Sequence, residues 1–425
     1  MTKSPFADPN SSRSIRVASV TPPLIALFAA IPLMEVGPGT ALWAAPAILI
    51  AALLIAWAAE SAQFFIAQGF ALAILAWLQT LPEFAVEAVL AWKQQVPLLM
   101  ANLTGSLRLL TGIGWPMIYV TAAIAHRRRY GKPMQRIALS PEHSVEVVGL
   151  LTPLFYIAII WWKGSLDVFD AAVLTLIYAA YLWVLSRMPP EEAEAIDELE
   201  RVPRWIVTAP RAKRIAAIAL LFVTGGALIY FAAEPFLGSL LAISAALGIP
   251  SFIFVQWVAP FVSEFPEMGT AIYWSRTVHR APMALMNVVS SNINQWTLLA
   301  AMLPTLYSIS RGTPSAIVFD EQQSLEVLMT LGQSLVGMLF LVNMELAWSE
   351  ALTLGCLFGV QFALSPVSPG PGFWGFLATH IHRWVTAAYF VWFGAGLVSC
   401  LLGRRKPLAF TQFAEMWRKH VRRGN

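Results

Sequence analysis

Apolar runs of roughly 18 to 28 residues recur along the whole chain, separated by short polar connections. That length matches a helix crossing a hydrocarbon core about 30 Å thick, where every backbone polar group must be paired internally. Candidate spans fall near residues 20 to 36, 43 to 60, 64 to 92, 97 to 125, 144 to 162, 167 to 186, 215 to 236, 249 to 275, 281 to 308, 324 to 344, 347 to 365 and 384 to 402. Composition agrees: 58% of the 425 residues are hydrophobic and 12% charged, about half the charged fraction of an ordinary soluble domain. The expected fold class is therefore an all-α polytopic membrane protein with about twelve transmembrane helices. The first run is the weakest because it contains Pro23, Pro32 and Glu35, and a signal peptide is its rival reading. Cys356 and Cys400 lie in apolar runs without metal-ligand or disulfide spacing, and they read as small apolar residues.

Lys and Arg set the expected orientation, since cytoplasmic loops retain them. With the N-terminus inside, the inner loops collect Arg127, Arg128, Arg129, Lys132 and Arg136, then Arg187, Arg201, Arg204, Arg211, Lys213 and Arg214, then Arg276 and Arg280. Lys93, Lys163, Arg311 and Arg383 fall outside, and Arg108 lies within a span. Both termini are thus expected in the cytoplasm, with the chain in a prokaryotic inner (plasma) membrane. The basic residues are split among loops with no recognition module, so nucleic acid is not an expected partner; membrane lipid and inorganic cations are. The central "MPPEEAEAIDELERVPRW" reads as a solvated cytoplasmic linker, because it lacks the glycine and alternating ligands of a calcium loop. In the basic tail, Phe410, Phe413, Trp417 and Val421 share one helical face, which is expected to lie on the lipid surface.

The chain also repeats itself. "SPEHSVEVVGLL" (140 to 151) resembles "DEQQSLEVLMTL" (320 to 331), and Asp170 matches Glu350 at the same offset of 180. "LPEFAVEAVLAW" matches "FPEMGTAIYWSR" at offset 184, and "ANLTGS" matches "MNVVSS" at offset 185. Each copy holds five spans, and an odd number inserts the second copy upside down. Inverted repeats of this kind build transporters whose site lies where the copies meet at the midplane. The expected divisions are 1–42 (N-terminus and first helix), 43–188 (first repeat), 189–213 (charged linker), 214–366 (second repeat), 384–402 (last span) and 403–425 (basic tail).

At equivalent places both copies carry a costly pair, proline followed by glutamate. Pro82 and Pro266 lack an N–H, so each breaks a span and frees the carbonyl four residues back, that of Leu78 or Val262. Glu83 and Glu267 follow directly, although a carboxylate at membrane depth costs about 2.5 to 3.5 kcal/mol on insertion scales. Further on lie Asn102, Thr104 and Ser106 in one copy and Asn287, Ser290, Ser291, Asn292 and Asn294 in the other. At helical spacing Asn102 and Ser106 share a face, as do Asn287 and Ser291. Carboxylates, amides, hydroxyls and free carbonyls form an all-oxygen shell suited to a hard cation such as calcium or sodium. Alternatively, the two acids are helix-start glutamates satisfied by backbone N–H groups. Glu87 reads as a ligand, a proton carrier or a lumen-facing acid. Glu146 and Glu326 read as structural acids near span starts. His143 and His279 lie in loops where they could sense pH, and "TGIGWP" is helix-packing glycine.

The paired segments "QTLPEFAVEAVLAW... ANLTGS" and "VSEFPEMGTAIYW... MNVVSSNINQW" resemble the two alpha-repeats of the calcium/cation antiporter superfamily, the sodium/calcium exchangers, whose pattern is roughly T-S-x-P-E followed by G-N-x-x-G-S-N. The resemblance covers about 40 residues in each half. It implies alternating-access exchange of calcium for sodium or protons, with no cofactor beyond the transported cations. It also implies central ligands Glu83 and Glu267, surrounded by Thr80, Glu264, Ser106 and Ser291, with Asn102 and Asn287 matching the N of G-N. Two departures stand out. Thr80 and Glu264 replace the family's serine, and "GSLRLL" puts Leu107 and Leu110 at amide-bearing positions with Arg108 between them. Arg108 must snorkel or meet an acid, and it is expected to pair with Glu264 or, failing that, Glu87, or else to turn away from the ion path. A divergent relative moving another cation, or coupled to protons without sodium, is the alternative function. An intramembrane enzyme is not expected, since the spans hold no Ser/His, di-aspartate or HExxH set.

Overall fold

Proline and glycine punctuate the chain where its helices begin and end. In a computed structural model, residues 36–65, 80–188, 199–367 and 370–422 are described. The expected helix near 20 to 36 and residues 66–79 of the third run lie outside them. Leu81–Trp92 (α2), Val96–Leu109 (α3), Trp115–Tyr130 (α4), Phe265–Ser275 (α10) and Ala281–Asn294 (α11) all open with a proline in the first two positions. In α2, α3, α10 and α11 the missing N–H removes no intrahelical bond; in α4, which continues from α3, Pro116 follows a π-helical turn. Gly131 and Gly312, at φ +68° and +70°, close α4 and Ala300–Arg311 (α12) in the left-handed conformation that favours glycine.

The remaining helices are Ala41–Ala62 (α1), Ser144–Lys163 (α5), Val168–Leu185 (α6), Arg201–Thr208 (α7), Arg211–Leu247 (α8), Ser251–Ser263 (α9), Glu321–Leu341 (α13), Trp348–Leu364 (α14), Phe373–Leu401 (α15) and Leu408–Met416 (α16). Among the described residues seven helical stretches are long and apolar enough to cross a membrane, and α9 and α14 are shorter apolar helices. The predicted run 249 to 275 is two helices, broken at Glu264 just before Pro266. By contrast, 96–130 and 281–311 run on through single π-helical turns, Leu110–Gly114 and Gln295–Leu299. The last span starts at Phe373, eleven residues before its expected start at 384. Its first turns carry His380, His382 and Arg383, polar residues that hid the start from a hydropathy reading.

Two short antiparallel ladders tie the halves together. Arg136–Ala138 (β1) pairs with Glu345–Ala347 (β4), and Ser165–Leu166 (β2) pairs with Ile317–Val318 (β3). β1 precedes α5 and β4 follows α13, whereas β2 follows α5 and β3 precedes α13. The start of α5 is therefore level with the end of α13, and the two helices run in opposite directions. Between β2 and α6, Lys163 donates to Asp167 at 2.8 Å and holds its carboxyl below the usual carboxylate range, while Asp170 closes a capping box with Asp167.

The tail differs from expectation. The backbone N–H of Ala409 donates to Val342 O at 2.9 Å. Trp417 meets Trp183, and Phe413 and Trp417 face a cavity shared with Val145, Gly149 and Tyr181. Part of its apolar face therefore rests on α5 and α6 instead of lipid.

Helices α3 and α9 approach closely because residue 105 has no side chain. A Cβ at Gly105 would lie 2.0 Å from the Gln256 carbonyl oxygen, and neither backbone can yield. Gly105→Ala is expected to destabilise the protein by about 1 to 3 kcal/mol or more. The expected readout is a lower melting temperature in detergent, and an unchanged one would contradict this packing.

Candidate functional site

The proline-led starts of α2 and α10 bring four carboxylates into one buried cluster. Glu83 and Glu267 occupy the third position of α2 and α10, and Thr80 and Glu264 are the residues immediately before those helices. Glu83, Glu87, Thr80, Glu264 and Glu267 are all at most 1% exposed. Glu83 interacts with both Glu264 and Glu87, and Glu264 with Glu267. The extended first repeat and the second thus contribute acids to one place.

Helices α3 and α11 supply the neutral oxygens. Asn102, Ser106, Asn287 and Ser291 are fully buried. The Asn102 amide donates to Glu87 at 3.2 Å. Ser106 lies against Glu83 and Ser291 against Glu267, neither with a well-formed hydrogen bond. All eight residues expected as ligands are therefore buried, and seven of them, Thr80, Glu83, Asn102, Ser106, Glu264, Glu267 and Ser291, contact another member of this cluster or the amides beside it.

A residue that sequence reasoning missed holds the cluster together. Gln295 donates from Nε2 to Glu83 Oε2 at 2.7 Å and to Glu264 Oε1 at 2.8 Å. Beside it the Asn294 amide donates to Thr80 Oγ1 at 2.7 Å. Gln295 opens the π-helical turn and stands 185 residues after Leu110, the position where the first half has no amide. The signal was present in the motif tail "SSNINQW", where the amide set continues past Asn294.

Acceptors outnumber donors here. One oxygen each of Glu83, Glu87, Asn102 and Gln295, the hydroxyls of Ser106 and Ser291, and both oxygens of Glu267 have no hydrogen-bond partner. A buried acceptor left unpaired is costly, and a cation or a proton satisfies such a set. Among the described residues no three His, Cys, Asp or Glu side chains converge in metal-holding geometry. The available shell mixes acids with amides and hydroxyls, which suits a hard ion that is bound and released.

Arg108 corrects an expectation. It is fully buried and does meet an acid, but the partner is Glu326 at 2.6 Å, in place of Glu264 or Glu87. Glu326 also faces His382 Nδ1 at 2.8 Å and accepts from the Gln256 amide at 2.9 Å. The guanidinium stands over the Trp257 ring at 5.1 Å, and its Nε donates to Thr104 O at 3.0 Å. The physical reason is helical direction: Arg108 is two residues past Ser106, which turns it away from the face bearing Asn102 and Ser106. It points instead to α9, α13 and α15. The four site carboxylates are thereby left without a fixed cation from Arg108.

Comparison with known proteins places this architecture. The profile of the family described as "Sodium/calcium exchanger protein" matches residues 38–187 and 217–365. The structure is similar to a crystal structure of the H+/Ca2+ exchanger CAX, with 30% identity, TM-score 0.81, and coverage of 94% of this chain and 95% of that one. It is also similar to the sodium-calcium exchanger NCX_Mj soaked with sodium and calcium, at 17% identity and TM-score 0.51, covering 76% of this chain and 97% of that one. The second likeness carries the fold alone. A search of curated proteins found no match.

Glu326→Gln would leave the Arg108 guanidinium buried beside a neutral partner, a change expected to destabilise by about 3 to 5 kcal/mol. Adding Arg108→Met should recover much of that loss in thermal unfolding. A double variant no more stable than Glu326→Gln would show that the pair does not act as a unit.

Proposed function

The chain belongs to the sodium/calcium exchanger protein family, and on that premise we propose that it is a secondary antiporter exchanging calcium for protons, with Glu83 and Glu267 as the central ligands. The observation that carries this reading is the buried cluster of Glu83, Glu87, Glu264 and Glu267 with its surplus of unpartnered oxygens. A divalent ion offsets two of the four charges. When it leaves, like charges held in a low-dielectric site repel, and protonation relieves the repulsion. Protons and calcium therefore compete for the same oxygens, which is the coupling an antiporter needs. Thr80, Asn102, Ser106, Asn287 and Ser291 complete the shell, while Gln295 positions Glu83 and Glu264.

We further propose about twelve spans with the repeats inverted. Several features support this. The π-helical turns stand 185 residues apart, as do Leu107 and Asn292, whose side-chain amide reaches the Leu107 carbonyl at 3.5 Å. Residues at equivalent positions meet when they lie near a two-fold axis. The same operation exchanges the β1–β4 ladder with β3–β2. Such a pair of copies meets at the site, and rocking one against the other would alternate access to it.

Replacing either Glu83 or Glu267 with Gln should abolish calcium uptake into proteoliposomes while leaving the protein folded and inserted. Wild-type flux in both variants would sink the assignment. Uptake should follow an imposed pH gradient and be little changed by a sodium gradient, and calcium affinity should weaken as pH falls, because protonation removes the ligand charge.

We propose that both termini and the 187 to 214 loop lie in the cytoplasm, a reading supported by the distribution of Lys and Arg. Reporter fusions at residue 200 and at the C-terminus should both report the inside. Opposite answers from the two would overturn the span count.

A further inference from the structure

Where α4 and α10 end side by side, a groove of about 700 Å³ opens at the surface. Arg128, Arg129 and Arg276 line it at the helix ends. Ile124, Ala125 and Ile272 line it one turn further toward the apolar part of the helices. No Asp or Glu is among its lining residues. Arg129 stands over the Tyr130 ring at 5.7 Å, and among the described residues neither the Arg128 nor the Arg276 side chain forms an ion pair or hydrogen bond.

Arginines at helix C-termini also complement the helix dipole, which is a purely local explanation. The magnitudes do not balance, however. Two C-termini present about half a negative charge each, against three full positive charges, so the groove keeps a clear positive excess. The opposite joint, between α2 and α12, makes the contrast. There the Ser310 hydroxyl donates to Trp92 O at 2.5 Å, the Gln94 amide donates to Ser310 at 3.1 Å, Lys93 pairs with Glu234 at 2.5 Å, and Arg311 lies over Tyr307. The equivalent pair, α2 and α12, thus meets at a joint bridged by hydrogen bonds whose basic residues are paired or stacked, while the α4–α10 groove keeps its arginines unneutralised.

We infer that the α4–α10 groove binds an anionic phospholipid, its phosphate held by Arg128 and Arg276 and an acyl chain lying along Ile124, Ala125 and Ile272. The chemistry fits an amphiphile: cations at the level of the loops and an apolar wall directly beneath them. Basic pockets between membrane helices recognise anionic headgroups in this way, and guanidinium forks match phosphate geometry. The lipid would bridge α4 to the end of α10, the helix whose first turn presents Glu267. Assignment of this end to the cytoplasmic leaflet rests on the orientation given under the proposed function; the binding itself does not depend on which ion is transported.

The test uses the full chain in neutral detergent and native mass spectrometry, with phosphatidylglycerol, phosphatidylcholine or inorganic phosphate added in turn. The expected result is a one-to-one phosphatidylglycerol adduct that phosphatidylcholine does not form. In Arg128→Gln/Arg276→Gln its occupancy should fall roughly tenfold or more, given the strength of such surface contacts. Arg128→Lys/Arg276→Lys should retain most of it. Ala125→Trp, which fills the apolar wall and leaves the charges, should also weaken the adduct. Unchanged phosphatidylglycerol binding in the double Gln variant, or equal binding of phosphatidylcholine, would overturn the inference. Displacement of the adduct by millimolar phosphate, together with full binding in Ala125→Trp, would assign the groove to free anions instead. Because none of these readouts measures cation flux, failure here is separable from failure of the antiport reading.

Discussion

Four carboxylates share one buried site in this protein, and each must find a partner at a depth where water is scarce. Glu83, Glu87, Glu264 and Glu267 are at most 1% exposed. Hydrocarbon surroundings cannot solvate them, so the chain directs amides and hydroxyls at them and still leaves oxygens over. Much of the architecture follows from that demand. Helix α2 begins directly after Thr80 and α9 gives way to α10 at Glu264, so that acids stand in the first turn of α2 and α10, where N-terminal N–H groups favour negative charge. The π-helical turn that begins at Gln295 presents an amide to Glu83 and Glu264 together.

The second ionic centre works on a different principle. Arg108, Glu326, Gln256 and His382 come from four helices and satisfy one another through close contacts. Such a set is poor as an ion-exchange site, because its charges are already matched. Its effect is to fix α15 and α9 against the helix that carries Asn102 and Ser106. One buried centre is thus left with unpaired acceptors and the other has its charges matched, and the two lie on different faces of α3.

Much of this was legible in the chain. Apolar run length determined the fold class, because a membrane span has a fixed thickness to cross, and eleven of the twelve predicted runs coincide wholly or in part with described helices. Duplicated Pro-Glu pairs located the breaks, because proline removes a hydrogen bond wherever it stands. The same duplication drew attention to Glu83 and Glu267 and to the amide and hydroxyl residues after them, and the resemblance to the exchanger repeats added Thr80 and Glu264; the fold places all eight in buried positions. Helix limits were less legible: α15 begins eleven residues early because its His380, His382 and Arg383 mimic a loop in composition.

Tertiary structure alone decided who meets whom. Sequence spacing says that Arg108 lies off the face of Asn102 and Ser106, yet which of the chain's acids stands opposite depends on how α13 packs across α3, and the answer is Glu326. Gln295 continues the amide run of "SSNINQW", but it becomes a site residue because the π-helical turn presents it to two carboxylates supplied by separate halves. The groove between α4 and α10 and the hydrogen-bonded joint between α2 and α12 arise from related segments, and only their packing separates them. Local chemistry fixed where the helices break and which residues had to be satisfied, because those follow from hydrogen bonds within a few residues. The pairing of charges distant in sequence was settled by the fold, because it depends on the relative placement of whole helices.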